Sequence, residues 1–168
     1  MSYKTYITEA IVCGSYVQNT SDKSFLLFTR EAGMLHASAK SVREERSKHR
    51  YALQDCSLIR ATLVRGRAGW KVTGAEAIQN FYSEQSTREG RKLIREIIRL
   101  LRRLIHGEES HLGIFDETKR CLVKDHPGQE EVTLLLYTLR VLHALGYIRE
   151  TDELAPMLRH EFPYDEGM

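Results

Sequence analysis

The stretch Lys23-Ser24-Phe25-Leu26-Leu27-Phe28-Thr29-Arg30-Glu31-Ala32-Gly33-Met34-Leu35 decides the fold. An apolar, aromatic-rich run ends at Thr29, four turn-forming residues follow, and a second strand-like run resumes at Met34 and reaches Val42. Gly33 can take the positive φ that a tight connection requires, so the stretch reads as a β-hairpin. Outward from it, Thr5 to Cys13 is rich in Ile, Val, Thr and Tyr and reads as an earlier strand, separated by the polar break Gly14 to Asp22. Downstream, Gln54 to Val64 alternates Leu58, Arg60 and Thr62 against Ile59, Ala61 and Leu63, and Gly66 to Gly69 turns into a fifth strand, Trp70 to Phe81. Five antiparallel strands in so short a segment suit a small closed barrel of the OB type.

Beyond Ser83 the apolar period becomes helical. Ile94, Ile97, Ile98, Leu101, Leu104 and Ile105 recur at three- and four-residue steps and form one stripe that needs a packing partner. A second helix is expected over about Ser110 to Leu122, followed by the break Asp125-His126-Pro127-Gly128. In the third helix, Val132, Leu135, Leu136, Leu139 and Leu142 make one face with Leu134, Val141 and Leu145 beside it, which predicts a largely buried helix stopped by Gly146. The segment from Leu154 to His160 is ambiguous, with Pro156 suited to a first helical turn. The reading is therefore α+β: residues 1–82 form a five-stranded OB-fold β-barrel that binds nucleic acid, and residues 83–168 form a small α-helical domain.

The net charge of +2 conceals a division along the chain. Residues 1–103 carry 19 Lys or Arg against 10 Asp or Glu, a net +9, and residues 104–168 carry 6 against 13, a net −7. A basic first part suits a polyanion such as DNA or RNA, while an acidic second part limits nonspecific binding or simply solubilises the surface. No apolar run approaches the roughly 18 residues that cross a bilayer, and Met1 to Glu9 lacks the apolar core of a signal peptide, so a cytoplasmic protein without membrane contact is expected.

Enzyme signatures are missing. The sequence has no phosphate loop ending in Gly-Lys-Ser/Thr, no dinucleotide glycine motif, no nucleophile elbow and no His-Glu-x-x-His, so no catalytic residue, cofactor or metal is expected. Glu44-Glu45, Glu108-Glu109 and Glu130-Glu131 are adjacent pairs whose side chains diverge on a helix or a strand. Cys13, Cys56 and Cys121 are too far apart for a paired-cysteine zinc motif and read as buried free thiols.

Three positive signals remain, and all concern nucleic acid. The segment Lys40-Ser41-Val42-Arg43-Glu44-Glu45-Arg46-Ser47-Lys48-His49-Arg50 sits between two predicted strands, where barrel loops contact phosphates; the competing reading is a polar loop that keeps the barrel soluble. Arg91, Arg95, Arg99 and Arg102, with Lys92 and Arg103 beside them, line a helix face opposite the apolar stripe, a basic ridge about 16 Å long. Its alternative is a solvent face with local ion pairs, such as Glu96 with nearby arginines. The third signal is aromatic: Tyr3, Tyr6, Tyr16, Phe25, Phe28, Tyr51, Trp70, Phe81 and Tyr82 lie in or near the barrel. Most are expected in the core. Trp70, beside Lys71 and the Arg65-Gly66-Arg67 turn, is the best candidate to stack on a base.

The order Thr8-Glu9-Ala10-Ile11-Val12, then Phe28 to Leu35, then Ala39-Lys40-Ser41-Val42-Arg43 resembles the N-terminal domain of the bacterial RecO family. The likeness continues through Leu63-Val64-Arg65-Gly66-Arg67 and Gly74-Ala75-Glu76, and returns at Leu139-Arg140-Val141-Leu142-His143-Ala144-Leu145-Gly146-Tyr147. The resemblance implies a DNA repair and recombination mediator: an OB barrel followed by helices that binds single- and double-stranded DNA, anneals complementary strands and helps load recombinase onto DNA coated by single-strand-binding protein. It implies RecR and single-strand-binding protein as partners, and it places DNA contacts on Lys40, Arg43, Arg46, Lys48 and Arg50. The sequence departs from the family in two respects: the four-cysteine zinc site common in its helical part is represented only by Cys121, and the chain is shorter than usual members. A protein-interaction module of barrel and helices without DNA binding is the alternative function.

Overall fold

The structure is a computed structural model that describes residues 4–17, 23–40 and 49–159, without the side chains of His49 and Arg50. Its elements run β1 (Thr5–Val17), β2 (Lys23–Thr29), β3 (Gly33–Ala39), α1 (His49–Ala52), β4 (Ser57–Gly66), β5 (Gly69–Asn80), α2 (Phe81–Glu84), α3 (Arg88–Leu104), α4 (Leu112–Val123), α5 (Glu130–Ala144) and α6 (Ala155–Arg159). The five strands close into a barrel in the order β1-β2-β3-β5-β4, antiparallel except where β3 meets β5. This is the OB-type barrel, with helices after it, that the strand-like runs predict.

Alternation within the strands separates two cores. Ala10, Val12, Phe25, Leu27, Leu35, Ala37, Ile59, Ala61, Leu63, Trp70 and Val72 fill the barrel, and Ala52 and Leu53, at and after α1, join them. The neighbours Ile11, Cys13, Leu26, Phe28, Met34 and Leu58 point outward into a second core with Ile94, Ile97, Ile98 and Leu101 of α3, Phe115 of α4 and Tyr137 of α5. The stripe on α3 thus finds its partner on the outer face of β1 and β2. Ion pairs span the same junction, Lys119 with Glu9 at 2.9 Å and Arg30 with Asp116 at 3.1 Å.

The hairpin between β2 and β3 turns at Gly33, with φ of 66°, and Thr29 Oγ1 donates to the Gly33 carbonyl at 2.9 Å. A Cβ at Gly33 would stand 2.2 Å from the Glu109 carbonyl oxygen, so no larger residue fits once the α3–α4 connection is seated. That connection covers the part of β3 that β5 does not reach, because Met34 N–H donates to the Gly107 carbonyl at 2.9 Å and β5 pairs only with Ala37 and Ser38. An otherwise open strand edge is closed in this way.

Several boundaries differ from the sequence reading. β1 continues past Cys13 to Val17, because a bulge between Val12 and Gly14 absorbs one residue and pairing with β2 resumes. β3 ends at Ala39, and positions 41 and 42 lie outside the described residues. β4 begins at Ser57 rather than Gln54, after Cys56 turns the chain at φ of 65°. Phe81 opens the short helix α2 instead of closing β5, since Asn80 caps it by accepting from Ser83 N–H at 2.9 Å. α5 stops at Gly146 as expected, with φ of 78°, and Tyr147 N–H reaches back to the Leu142 carbonyl.

The expected face of α5 is corrected. Its buried residues are Thr133, Tyr137, Arg140 and Val141, while Val132 and Leu135 stand in solvent, Leu135 at 58% exposure. Polar groups hold this side inward: Thr118 and Tyr137 hydroxyls lie 2.7 Å apart, and Arg140 donates to Glu117 at 2.7 Å. These buried polar contacts to α4, rather than the apolar count, decide which face of α5 turns inward.

Because β1 and β2 serve both cores, barrel and helices are expected to unfold together. Phe28→Ala, which removes a ring 5.4 Å from that of Phe115, should cost about 3–5 kcal/mol, whereas Leu135→Ala should stay within about 0.5 kcal/mol. Denaturant unfolding followed by Trp70 fluorescence and by helical ellipticity checks this, and two separated transitions would contradict it.

Candidate nucleic-acid interface

α3 is a 17-residue helix started by Thr87, whose Oγ1 accepts from Gly90 N–H at 3.0 Å, and it ends with Arg102 and Arg103 in its last turn, where cations suit the helix dipole. Leu93, Ile94, Ile97, Ile98 and Leu101 face the core. Arg91, Arg95, Arg99 and Arg102 are consequently exposed on the other side, as the spacing predicts.

The four arginines do not form one uniform line. Arg91 and Arg95 both lie over the ring of Tyr82, each at 5.9 Å from its centroid. Arg102 donates to the Tyr16 hydroxyl at 2.7 Å and so reaches β1. Arg99 instead pairs with Glu96. Among the described residues, Arg91, Arg95 and Arg102 have no carboxylate partner, and aromatic groups steady them without neutralising them.

The Arg102 contact joins the ridge to one rung of the barrel. Tyr16 pairs with Ser24, Ser24 with Ser38, and Ser38 with Lys71, crossing β1, β2, β3 and β5 over about 14 Å. Their neighbours Phe25, Ala37 and Trp70 fill the barrel, so this rung lies on its outer face. Lys40 follows at the end of β3, exposed. Arg43, Arg46 and Lys48, and the side chain of Arg50, lie outside the described residues.

The turn between β4 and β5 differs from its reading. Trp70 is only 8% exposed and belongs to the barrel core, so it is corrected from an open stacking platform to an enclosed residue. Its indole N–H donates to Glu108 at 3.1 Å, Tyr6 meets it edge-on at 5.3 Å, and Arg65 covers it at 5.5 Å. The strand period that points Lys71 outward points Trp70 inward. Arg65 also pairs with Glu108 at 2.7 Å, whereas Arg67 and Lys71 are exposed without an ion pair among the described residues. Exposed aromatics are found elsewhere, at Tyr16 (46%) and at Tyr51 on α1 (73%).

Among the described residues no cluster of three or more His, Cys, Asp or Glu is arranged to hold a metal, and no helix is long and apolar enough to cross a membrane. All three cysteines are buried and free. Burial pushes the Cys13 thiol up to about 12 and that of Cys56 to about 11, and raises Cys121 as well.

Residues 1–81 match the family model described as recombination protein O N terminal. The chain is 27% identical to the DNA repair protein RecO of Caldanaerobacter subterraneus subsp. tengcongensis over 88% of its own length and 61% of that protein. It is 27% identical to the RecO of Dehalococcoides mccartyi (strain ATCC BAA-2266) over 88% of this chain and 59% of that one, and 27% identical to the RecO of Heliobacterium modesticaldum over 88% and 54%. The likeness therefore extends beyond the barrel into the helices. The chain spans 54 to 61% of the length of these relatives.

The thiols provide a test of the packing behind the interface. The folded chain holds their protons above the ordinary value of 9.0 at which the unfolded chain releases them, so their contribution to stability is full below pH 9 and falls as pH rises toward 12. Native protein should leave all three thiols unreactive toward an aromatic disulfide reagent at pH 8, with three reacting after denaturation. Rapid native labelling of Cys13 would show that the α3–β1 contact is open.

Proposed function

We propose that this chain is a member of the RecO family, a reading supported by the match of its residues 1–81 and by its likeness to curated RecO proteins, and that it is a DNA-binding mediator of recombination repair, acting on single- and double-stranded DNA without bond chemistry of its own. It promotes strand annealing or recombinase loading by neutralising phosphates and leaving bases accessible. The observation that carries this reading is the set of Arg91, Arg95 and Arg102: exposed and without carboxylate partners among the described residues, the first two over the Tyr82 ring and Arg102 bonded to Tyr16 of the barrel. An arginine already paired in a salt bridge must give up that partner to bind phosphate, and these three need not.

Lys40, Arg67 and Lys71 extend the cationic surface on the barrel, and Arg43, Arg46, Lys48 and Arg50 complete the DNA-binding residues of this reading. Arg65 and Arg99 take a smaller part because Glu108 and Glu96 hold them. RecR and single-strand-binding protein are the partners it names, and residues 1–82 and 83–168 act as DNA-binding barrel and helical domain on a shared core.

The test is a salt titration of DNA binding. Each phosphate contact contributes a slope of about 0.9 in the logarithm of affinity for duplex and about 0.7 for single strands. The triple variant Arg91→Ala, Arg95→Ala, Arg102→Ala should lower the duplex slope by about 2 to 3 and weaken all sequences alike, whereas Arg99→Ala should change it by less than one contact. An unchanged slope in the triple variant removes the ridge from the site. No binding by the wild-type chain even at low ionic strength favours a protein-interaction module.

A further inference from the structure

We infer that Tyr16 is a base-stacking residue, and that a single-stranded polynucleotide crosses the outer face of β1, β2 and β3 with an unpaired base on its ring and phosphates at Arg102 and Lys71. The inference rests on the proposed DNA-binding function and adds to it the feature that recognises unpaired bases.

Three observations single out this ring. Tyr16 is 46% exposed and lies inside the cationic footprint, on the rung that runs through Ser24 and Ser38 to Lys71. Its hydroxyl is held by Arg102 at 2.7 Å, so the ring is fixed from its edge, and among the described residues no aromatic ring or cation lies over its face. The other aromatics near the footprint are engaged: Tyr82 lies beneath Arg91 and Arg95, Tyr6 packs on Trp70 and beneath Lys4, and Trp70 is enclosed. Tyr51 is more exposed, but no described residue holds its hydroxyl. A ring already fixed loses less freedom when a base settles on it.

The chemistry separates this role from simple phosphate attraction. Every unpaired base has a π-face, and stacking on a protein aromatic tolerates any sequence; bases inside a duplex have both faces covered by their neighbours. A stacking tyrosine therefore favours single strands over duplex, which a row of arginines does weakly. The serines of the rung are small enough to let a strand lie close to the sheet, and they present hydroxyls that can bond phosphate oxygens.

The experiment measures binding of the full chain to a labelled oligothymidylate and to a duplex at one fixed salt concentration. Tyr16→Ala is expected to weaken oligothymidylate binding about tenfold, to weaken duplex binding much less, through the lost anchor of Arg102, and to preserve the salt slope, because no charge is removed. Tyr16→Phe keeps the ring and should bind oligothymidylate like the wild type. Thermal melts of both variants confirm that they fold, as their exposed position permits. Wild-type affinity in Tyr16→Ala, an equal loss on both ligands, or a Tyr16→Phe variant as weak as Tyr16→Ala would each overturn the stacking role, the last two by showing that the tyrosine only positions Arg102. A wild-type protein that binds neither ligand would overturn the DNA-binding function itself.

Discussion

Ile11 and Val12 are neighbours in the chain and lie in different cores, one against the helices and one inside the barrel. The same division separates Leu26 from Leu27 and Met34 from Leu35. A strand with two apolar faces needs cover on both, and a five-stranded barrel provides only one. The helices supply the other. This requirement places α3 across β1, turns its arginines outward, and brings Arg102 to Tyr16. The arginine ridge thus follows from a packing need.

The charges obey a second constraint. A guanidinium on a helix surface is commonly steadied by a carboxylate three or four residues away, as Glu96 steadies Arg99, but such a partner reduces the attraction it offers to a phosphate. On the side of α3 that faces Tyr82 and Tyr16 the steadying is aromatic. Order is retained and charge is not cancelled. Around Trp70 the opposite arrangement holds: Glu108 takes both Arg65 and the indole N–H, which closes that side of the barrel against the α3–α4 connection.

The sequence makes the hairpin at Gly33 and the stripe of α3 legible because each rests on local chemistry, a positive φ and a helical period. The likeness to the RecO N-terminal domain is legible in the order of short motifs through the barrel. The outward set of β1 and β2 was harder to place, since a strand apolar on both faces has no alternation to read. The exposed face of α5 misleads for a related reason: Val132 and Leu135 are apolar yet stand in solvent, whereas Tyr137 and Arg140 on the buried side bond to Thr118 and Glu117 of α4 and to the Met157 carbonyl of α6. Trp70 was misplaced by its neighbours. Lys71 and the Arg65–Arg67 turn lie close to it in sequence, but a strand sends adjacent side chains to opposite faces. The Tyr16–Arg102 contact joins residues 86 positions apart and leaves no local trace.

The two-sided strands raise a question of register. In an ordinary half-exposed strand, a slip of one residue would push apolar side chains into water, and that cost fixes the pairing. Along Ile11 to Cys13 and Leu26 to Phe28 the cost is small, because apolar groups would still meet apolar surroundings. Alignment must therefore be set at the ends. Glu9 is tied to Lys119 and Arg30 to Asp116, Thr29 is bonded across the turn to Gly33, and the bulge before Gly14 permits only one continuation toward Tyr16. These few polar anchors and one irregularity determine which apolar residues enter the barrel, and a chain that lost them would keep its hydrophobicity while losing the single alignment that brings Tyr16 to Arg102.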